Sequence, residues 1–271
     1  MTMSQKGALV SSQHTQEGSS RLRQIDLIVH GATGRMGRRI LDLARADTRF
    51  RLVATASSAG LSRPGDSAPA PRSDAQQTAQ NAQNDANLPP SAHVVIDFSS
   101  DAGARAAIDL ASRAGAALLT GSTGLAQPTV DALRIFSRDH PTLAAPNTSR
   151  GVAVVAKLAA MTAALGSDFQ AAIVETHHAA KKDAPSGTAL RLADAMRQAG
   201  IELPHHRIVS VRVGHVVGEH IIRLEGPHES VEITHRAHSR DLFAAAALDA
   251  GAWLVTQPPG WYVMEDVLGF A

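Results

Sequence analysis

Between Glu175 and Leu190 the chain reads ETHHAAKKDAPSGTAL, which gathers His177, His178, Lys181, Lys182 and Asp183 beside a Pro-Ser-Gly-Thr corner. Histidine is the side chain whose ordinary pKa lies near neutrality, so it can deliver a proton where a reaction consumes one. Ser186 reads as the N-cap of a helix through SGTALRLADAMRQAG, with Gly187 and Thr188 presenting first-turn N–H groups to an anion. Those amides, a lysine and a histidine form a pocket suited to a carboxylate. Along the preceding strand AAIVETHH side chains alternate, so His177 and His178 point to opposite faces unless the strand has ended, and one at most meets a ligand squarely. A solvated basic turn with no ligand has the same composition. A metal centre is the third reading, since the chain holds thirteen histidines, among them His215, His220, His235 and His238. His235 and His238, three apart in a strand, fall on opposite faces, and no carboxylate or cysteine takes ligand spacing, so no metal is expected.

A second group with chemical meaning is GATGRMG, in which Gly31, Gly34 and Gly37 follow the apolar run IDLIVH and open a helix. Glycine permits a tight turn with no side chain between backbone and ligand, and a helix amino terminus offers N–H groups to a pyrophosphate. The GxxGxxG spacing is a variant of the commoner dinucleotide fingerprint, and a strand-to-helix turn that holds nothing is the alternative. An acidic residue at the end of the second strand usually takes the ribose 2′-hydroxyl of NAD. Here that strand ends in Ala56-Ser57-Ser58-Ala59, with no acid before Asp66. No carboxylate repels a 2′-phosphate, and Arg35 or Arg38 can pair with one, which favours NADPH over NADH.

Both groups need a scaffold. Ile25 to His30 reads as a strand, GATGRMGRRILDLARA as a turn and helix, and FRLVATAS as the next strand. HVVIDFSS is a continuous apolar run of the kind a parallel strand buried on both faces shows, and an Ala-rich helix over 102–114 and the strand AALLTGSTG follow. This order predicts a doubly wound, Rossmann-like α/β unit. From about Val152 a helical stretch, the strand FQAAIVETHHA, another helix and the strand-like runs RIVSVRVGHVVGEHIIRLEG and ESVEITHRAH predict a second, α+β unit with an antiparallel or mixed sheet. RDLFAAAALDAGAWLVTQP is helical again and is expected to return to the first unit.

With 271 residues and 44% hydrophobic content the chain can build one large domain or two modest ones. Its 26 Lys and Arg nearly balance 25 Asp and Glu, so no net field draws it to nucleic acid or membrane, and a small-molecule partner is favoured. The absence of cysteine excludes disulfides, thiolate metal sites and a cysteine nucleophile. Residues 1–24 are polar and read as a disordered leader without a signal-peptide core, which suggests a cytoplasmic protein. Residues 62–87 contain no Val, Ile, Leu, Met, Phe, Trp or Tyr, so the segment over 62–92 reads as a polar loop without a role.

Taken together, GATGRMG, VVIDFS, GSTG (121–124), APNTSRGV (145–152), HHAAKKDAPSGTA, VRVGHVVGEH (211–220), EITHRAHSR and MEDVLG resemble, in order and over nearly the whole of 25–268, the dihydrodipicolinate reductase family, also called 4-hydroxy-tetrahydrodipicolinate reductases. The resemblance implies a dinucleotide-binding domain over 25–148 and 241–271, a substrate-binding and tetramerisation domain over 149–240, and a homotetramer. It implies NAD(P)H-dependent reduction of a cyclic imine dicarboxylate, 4-hydroxy-tetrahydrodipicolinate, in diaminopimelate and lysine biosynthesis. His177 then matches the proton donor and Lys181 a second catalytic residue, while His178, Ser186, Gly187 and Thr188 match positions that hold substrate carboxylates. The cofactor would be lined by Gly31, Ala32, Thr33, Gly34, Arg35, Met36 and Gly37, by Ser57 and Phe98, by Gly121, Ser122 and Thr123, and by Ala145, Pro146, Asn147 and Thr148.

Three departures concern the cofactor pocket: Ser57-Ser58 stand where an acidic or Glu-Arg pair is common, Thr148 replaces an aromatic and is followed by Arg150, and DFSSDAG lacks a proline. A protein that senses the nicotinamide without reacting, or a reductase of a different cyclic imine, are the competing functions. Neither a sensor's needs nor a bare dinucleotide fold accounts for His177, Lys181 and the Gly187-Thr188 corner standing in register.

Overall fold

The computed structural model describes residues 24–58, 60–63 and 92–270. The expected leader, but for Gln24, and the polar loop, but for its ends, lie outside the described residues. The first part of the chain runs β1 (Ile25–His30), α1 (Arg35–Ala46), β2 (Phe50–Ser57), β3 (Gly60–Ser62), β4 (Val94–Asp97), α2 (Asp101–Ala114), β5 (Ala117–Thr120), α3 (Gln127–Phe136) and β6 (Pro141–Ala144). The second continues through α4 (Arg150–Met161), β7 (Gln170–His177), α5 (Gly187–Gln198), β8 (Ile208–Arg212), β9 (Gly218–Glu225) and β10 (Ser230–Ala237). The chain closes with α6 (Asp241–Leu254), β11 (Gly260–Tyr262) and α7 (Met264–Val267).

Seven strands form one sheet in the order β11-β6-β5-β4-β1-β2-β3, parallel throughout except for β3, which turns back on β2. The runs VVID and ALLT are buried at every position because helices cover both faces of the sheet. On one face α1 and α6 pack Ile40, Leu41, Ala247 and Leu248 against Leu27, Ile96 and Leu119. The other face receives α2 and α3, with Ala107, Ala111, Leu133 and Phe136. Helix α2 begins at a Ser100 cap, whose hydroxyl accepts the Gly103 N–H at 3.2 Å, and stops at Gly115 in the left-handed region at φ +60°. Nearest neighbours β1 and β4 are far apart in sequence, and the chain reverses direction across the sheet between them. The crevice above their carboxyl ends is where open α/β sheets bind ligands.

The second sheet has the order β10-β9-β7-β8, with β7 parallel to β8 and antiparallel to β9, so the expected mixed sheet is present. Strand β7 buries alternate residues, since only one face is covered: α4 and α5 pack Val152, Ala156, Leu192 and Met196 on Ile173 and Ile222. Each fully buried leucine or isoleucine here contributes about 1.5–3 kcal/mol. The opposite face leaves Val209, Val211 and Val213 exposed. One expected element is shorter than its apolar pattern: the helix from Arg150 tightens into a 3₁₀ turn over Thr162–Leu165. The Thr162 hydroxyl donates to the Ala159 carbonyl at 2.6 Å, and Gly166, at φ +94°, ends the turn. Among the described residues no helix is long and apolar enough to cross a membrane.

Candidate active site

The glycine turn links β1 to α1 at the carboxyl edge of the first sheet. A Cβ on Gly31, whose φ is +76°, would lie 2.2 Å from the Phe98 carbonyl oxygen, and one on Gly37 would lie 2.2 Å from that of Gly31. Only glycine lets β1, α1 and the end of β4 meet this closely. Helix α1 starts at Gly34 with no side-chain cap, so no capping side chain competes for its first-turn amides, the condition a pyrophosphate requires. Thr33, Gly34 and Arg35 are exposed, Met36 is half-buried, and Ala32 is buried with its N–H on the Ala56 carbonyl at 3.1 Å. Arg38 is exposed near the turn, and Ser57 ends β2 with no acid beside it in sequence. The residues present therefore fit a dinucleotide.

Sequence reasoning missed what fixes the rest of this edge. Asp97, fully buried at the end of β4, takes hydrogen bonds from Ser99 Oγ at 2.5 Å, Thr120 Oγ1 at 2.8 Å and Ser122 Oγ at 2.7 Å, and pairs with His30 Nδ1 at 2.7 Å. One carboxylate thereby ties the ends of β1, β4 and β5 together. It sets the place of Phe98, on whose ring a Cβ at Gly121 would intrude at 2.2 Å. Ser122 turns its hydroxyl inward to Asp97 and accepts the Ser99 N–H, so only its backbone and that of Gly121, with exposed Thr123, face the edge. Ala145, Pro146, Asn147 and Thr148 follow β6 on the same edge. Thr148 is fully buried and donates to the Phe243 carbonyl at 2.8 Å, which leaves its backbone alone available.

The second group lies where β7, β8 and β9 meet the start of α5. Ser186 caps α5 as expected, its Oγ accepting the Ala189 N–H at 3.2 Å. Gly187 is exposed, with open space where a side chain would begin, and the first-turn N–H groups of Gly187 and Thr188 are ones that no helical carbonyl can reach. Thr188 Oγ1 accepts Asn147 Nδ2 at 2.8 Å, so the two edges adjoin at this bond. Lys181 Nζ is paired with Asp183 at 2.7 Å, and the pairing lowers the Asp183 pKa. His178 is half-buried and its Nε2 accepts from Arg240 Nη2 at 3.2 Å.

His177 points the other way from His178, into the interior, with 8% exposure. Its Nδ1 meets Glu175 Oε2 in a very short contact, and because the carboxylate accepts, Nδ1–H donates. Burial lowers the His177 pKa, Glu175 opposes this, and Lys181 and Arg212 add to the lowering. Burial pushes the Glu175 carboxyl up, but hydrogen bonds from Arg212, Ser210 and His177 outweigh it and hold the group at about 2. Arg212 grips Glu175 with both terminal nitrogens, Nη1 at 3.0 Å and Nη2 at 2.7 Å. His220 lies edge-on to His177 with ring centroids 5.2 Å apart, and His235 follows at 6.0 Å. His220 Nε2 lies 3.3 Å from the Ser186 hydroxyl, and burial before all else takes its pKa to about 3. Two of the suspected metal histidines are thus neutral rings beside the site, and among the described residues no cluster could hold a metal. Sequence reasoning missed Glu175 and Arg212 and read His220 only as a candidate metal ligand, although Glu175 stands two residues before His177 on one strand face, a signal that was there to be read.

The arrangement offers an anion corner, a proton-bearing imidazole and a dinucleotide edge within reach of one another. Two family models match the chain, dihydrodipicolinate reductase N-terminus over residues 25–148 and dihydrodipicolinate reductase C-terminus over 151–268. A 4-hydroxy-tetrahydrodipicolinate reductase of Myxococcus xanthus is 38% identical, covering 91% of this chain and 98% of that one. Its counterpart in Aquifex aeolicus is 35% identical over 90% and 99% of the two chains. Among solved structures, a dipicolinate-bound dihydrodipicolinate reductase from Paenisporosarcina sp. TG-14 shares the fold, with a TM-score of 0.68, 18% identity, and 89% and 97% of the chains covered.

Proposed function

The chain belongs to the dihydrodipicolinate reductase family, and from that we propose that it reduces 4-hydroxy-tetrahydrodipicolinate to tetrahydrodipicolinate in diaminopimelate and lysine biosynthesis. The observation that carries the reading is the Asn147–Thr188 hydrogen bond, which joins the dinucleotide edge to the anion corner beside His177. When bound, the reduced nicotinamide supplies a hydride. Loss of the 4-hydroxyl as water leaves a ring C=C conjugated with the imine; a hydride added to that conjugated carbon drives electron density to nitrogen, and the resulting enamine carbon needs a proton. His177 in its imidazolium form gives that proton from Nε2, the nitrogen that Glu175 leaves free. Lys181, His178 and the amides of Gly187 and Thr188 hold the two carboxylates, and a substrate carboxylate takes the place of Asp183 on Lys181. Ser186 shapes the corner through its cap.

We assign residues 25–148 and 241–271 to the dinucleotide-binding domain and 149–240 to the substrate domain, a division supported by separate apolar cores on the two sheets. NADPH is the favoured cofactor, because exposed Arg35 and Arg38 flank the turn and serines end β2. The exposed valines of β8 and Val213 support a homotetramer assembled on the open face of the second sheet. The demand for a supply of reduced nicotinamide supports a cytoplasmic location.

Following NADPH and NADH absorbance with substrate made in place from pyruvate and aspartate semialdehyde by its synthase tests the proposal. Substrate-dependent oxidation, faster with NADPH, is expected. Binding without oxidation would return the sensor or a different imine as the reading. His177→Ala should cut kcat with cofactor affinity little changed, and Lys181→Ala should harm both kcat and substrate KM. Undiminished turnover in both variants refutes the assigned residues.

A further inference from the structure

A buried imidazole is a poor acid at neutral pH unless something holds its ring and favours its charged form. The charged and titratable groups that face His177 are Glu175 on its own strand, Arg212 on β8, His220 on β9 and Lys181 in the following loop. Of these only Glu175 is negative. Its side chain is wholly buried, and four of its hydrogen bonds tie it to the site. Oε2 accepts from His177 Nδ1 and from Arg212 Nη1 at 3.0 Å, and Oε1 accepts from Arg212 Nη2 at 2.7 Å and from the Ser186 N–H at 3.2 Å. The far side of the ring is fitted as closely, since a Cβ at Gly218 would lie 3.1 Å from His177 Nε2.

We propose that Glu175 is the positioning residue of the reaction: its carboxylate accepts the Nδ1–H of His177 and favours the imidazolium, whose Nε2–H is turned to the substrate, and through the Ser186 N–H it locks that acid to the corner that grips the substrate carboxylates. Arg212 is the counterion that keeps Glu175 ionised inside the protein, and it ties the same group to the loop by donating to the Asp183 carbonyl. An ion pair that served stability alone would need neither the imidazole nor the Ser186 amide. The inference rests on the proposed reduction for the use made of the proton, and on the geometry alone for the hold on His177.

The test is Glu175→Gln, which keeps the size of the side chain and an oxygen for the Ser186 N–H while removing the charge. Titration of the His177 ring by NMR should show its pKa lowered by about one unit or more. The descending limb of kcat against pH should move down by the same amount, which costs about ten-fold in turnover above neutrality for each unit lost. Substrate KM and cofactor Kd should be little changed. A uniform fall in kcat at all pH values, with His177 titrating as in the parent, would overturn the proposal. Should Glu175→Gln fail to fold, Gly218→Ala displaces the ring by a few tenths of an ångström and leaves the Glu175–Arg212 pair intact. Lower kcat with a shifted His177 titration is then expected, and parental values for both would overturn the proposal. If the parent protein does not reduce the substrate at all, the proposed function fails, while the titration still decides the hold of Glu175 on His177.

Discussion

Gly37→Ala puts the glycine turn to a quantitative test. The added methyl would stand 2.2 Å from the Gly31 carbonyl oxygen, 2.7 Å from its carbon and 2.8 Å from Ala32 Cα. A carbon and an oxygen rest at about 3.3 Å or more, so the shortfall is about 1 Å. All three neighbours are backbone and no side chain can swing aside, so α1 must lift from the turn. Alanine in a helix is itself favoured over glycine by roughly 0.5–1 kcal/mol, whereas overpacking costs about 1–3 kcal/mol. The net loss should be about 1–2 kcal/mol, a fall in Tm of about 2–8 °C for a chain of this size. The functional effect should be larger. A 1 Å lift takes first-turn amides out of hydrogen-bond range of a pyrophosphate, and losing one charge-assisted bond of about 1.5–3 kcal/mol weakens NADPH binding by about ten-fold to a hundred-fold or more. Calorimetric titration of NADPH and thermal scans of the same samples measure both quantities. Gly34→Ala is the control for the thermal scans, because its methyl would lie 3.1 Å from the Gly31 oxygen and needs a shift of only a few tenths of an ångström. A Gly37→Ala protein with parental Kd and a raised Tm would refute both the contact and the turn's role as the cofactor cradle.

His220, held at about 3 by burial and by its neighbours, binds a proton more readily in the unfolded chain, where its pKa is about 6.5. Stability is therefore lost as pH falls below 6.5, with a slope of about 1.4 kcal/mol per pH unit from this ring. Urea midpoints between pH 7 and 5, above the range where Glu175 titrates, should show His220→Gln reducing that slope by about this amount, and an unreduced slope would mean that water reaches the ring. Thr148→Val removes a donor from the Phe243 carbonyl at the joint between β6 and α6, and denaturant unfolding should register a loss of about 1 kcal/mol.

What the sequence made legible was local. The turn glycines, the Ser186 cap and the buried runs of β4 and β5 each depend on neighbours within a few residues, and their chemistry can be read along the chain. The opposite facing of His177 and His178 also followed from strand alternation alone. Glu175 was different, because its importance lies in partners that meet only once β7 lies between β8 and β9, where Glu175 stands level with Ser210 and His220, and His177 with Arg212. Sequence separations of 37 residues to Arg212 and 67 between His30 and Asp97 leave no periodic trace. Thr148 and Ser122 were legible in place but not in direction, since what turned them inward was a carbonyl on α6 and a carboxylate on β4.

The return of the chain to its first sheet inverts the order in which the protein can be completed during synthesis. Helix α6 roofs Ile96 and Leu119, and β11 borders β6, yet a ribosome makes both only after the whole of the second sheet. The first sheet must wait with one face partly bare while α4 through β10, whose apolar cluster draws only on residues 152–233, already has all its own parts. The half of the chain that emerges first is therefore the half that finishes second, and a late stop before residue 241 damages the nucleotide end of the enzyme rather than the end nearest the break.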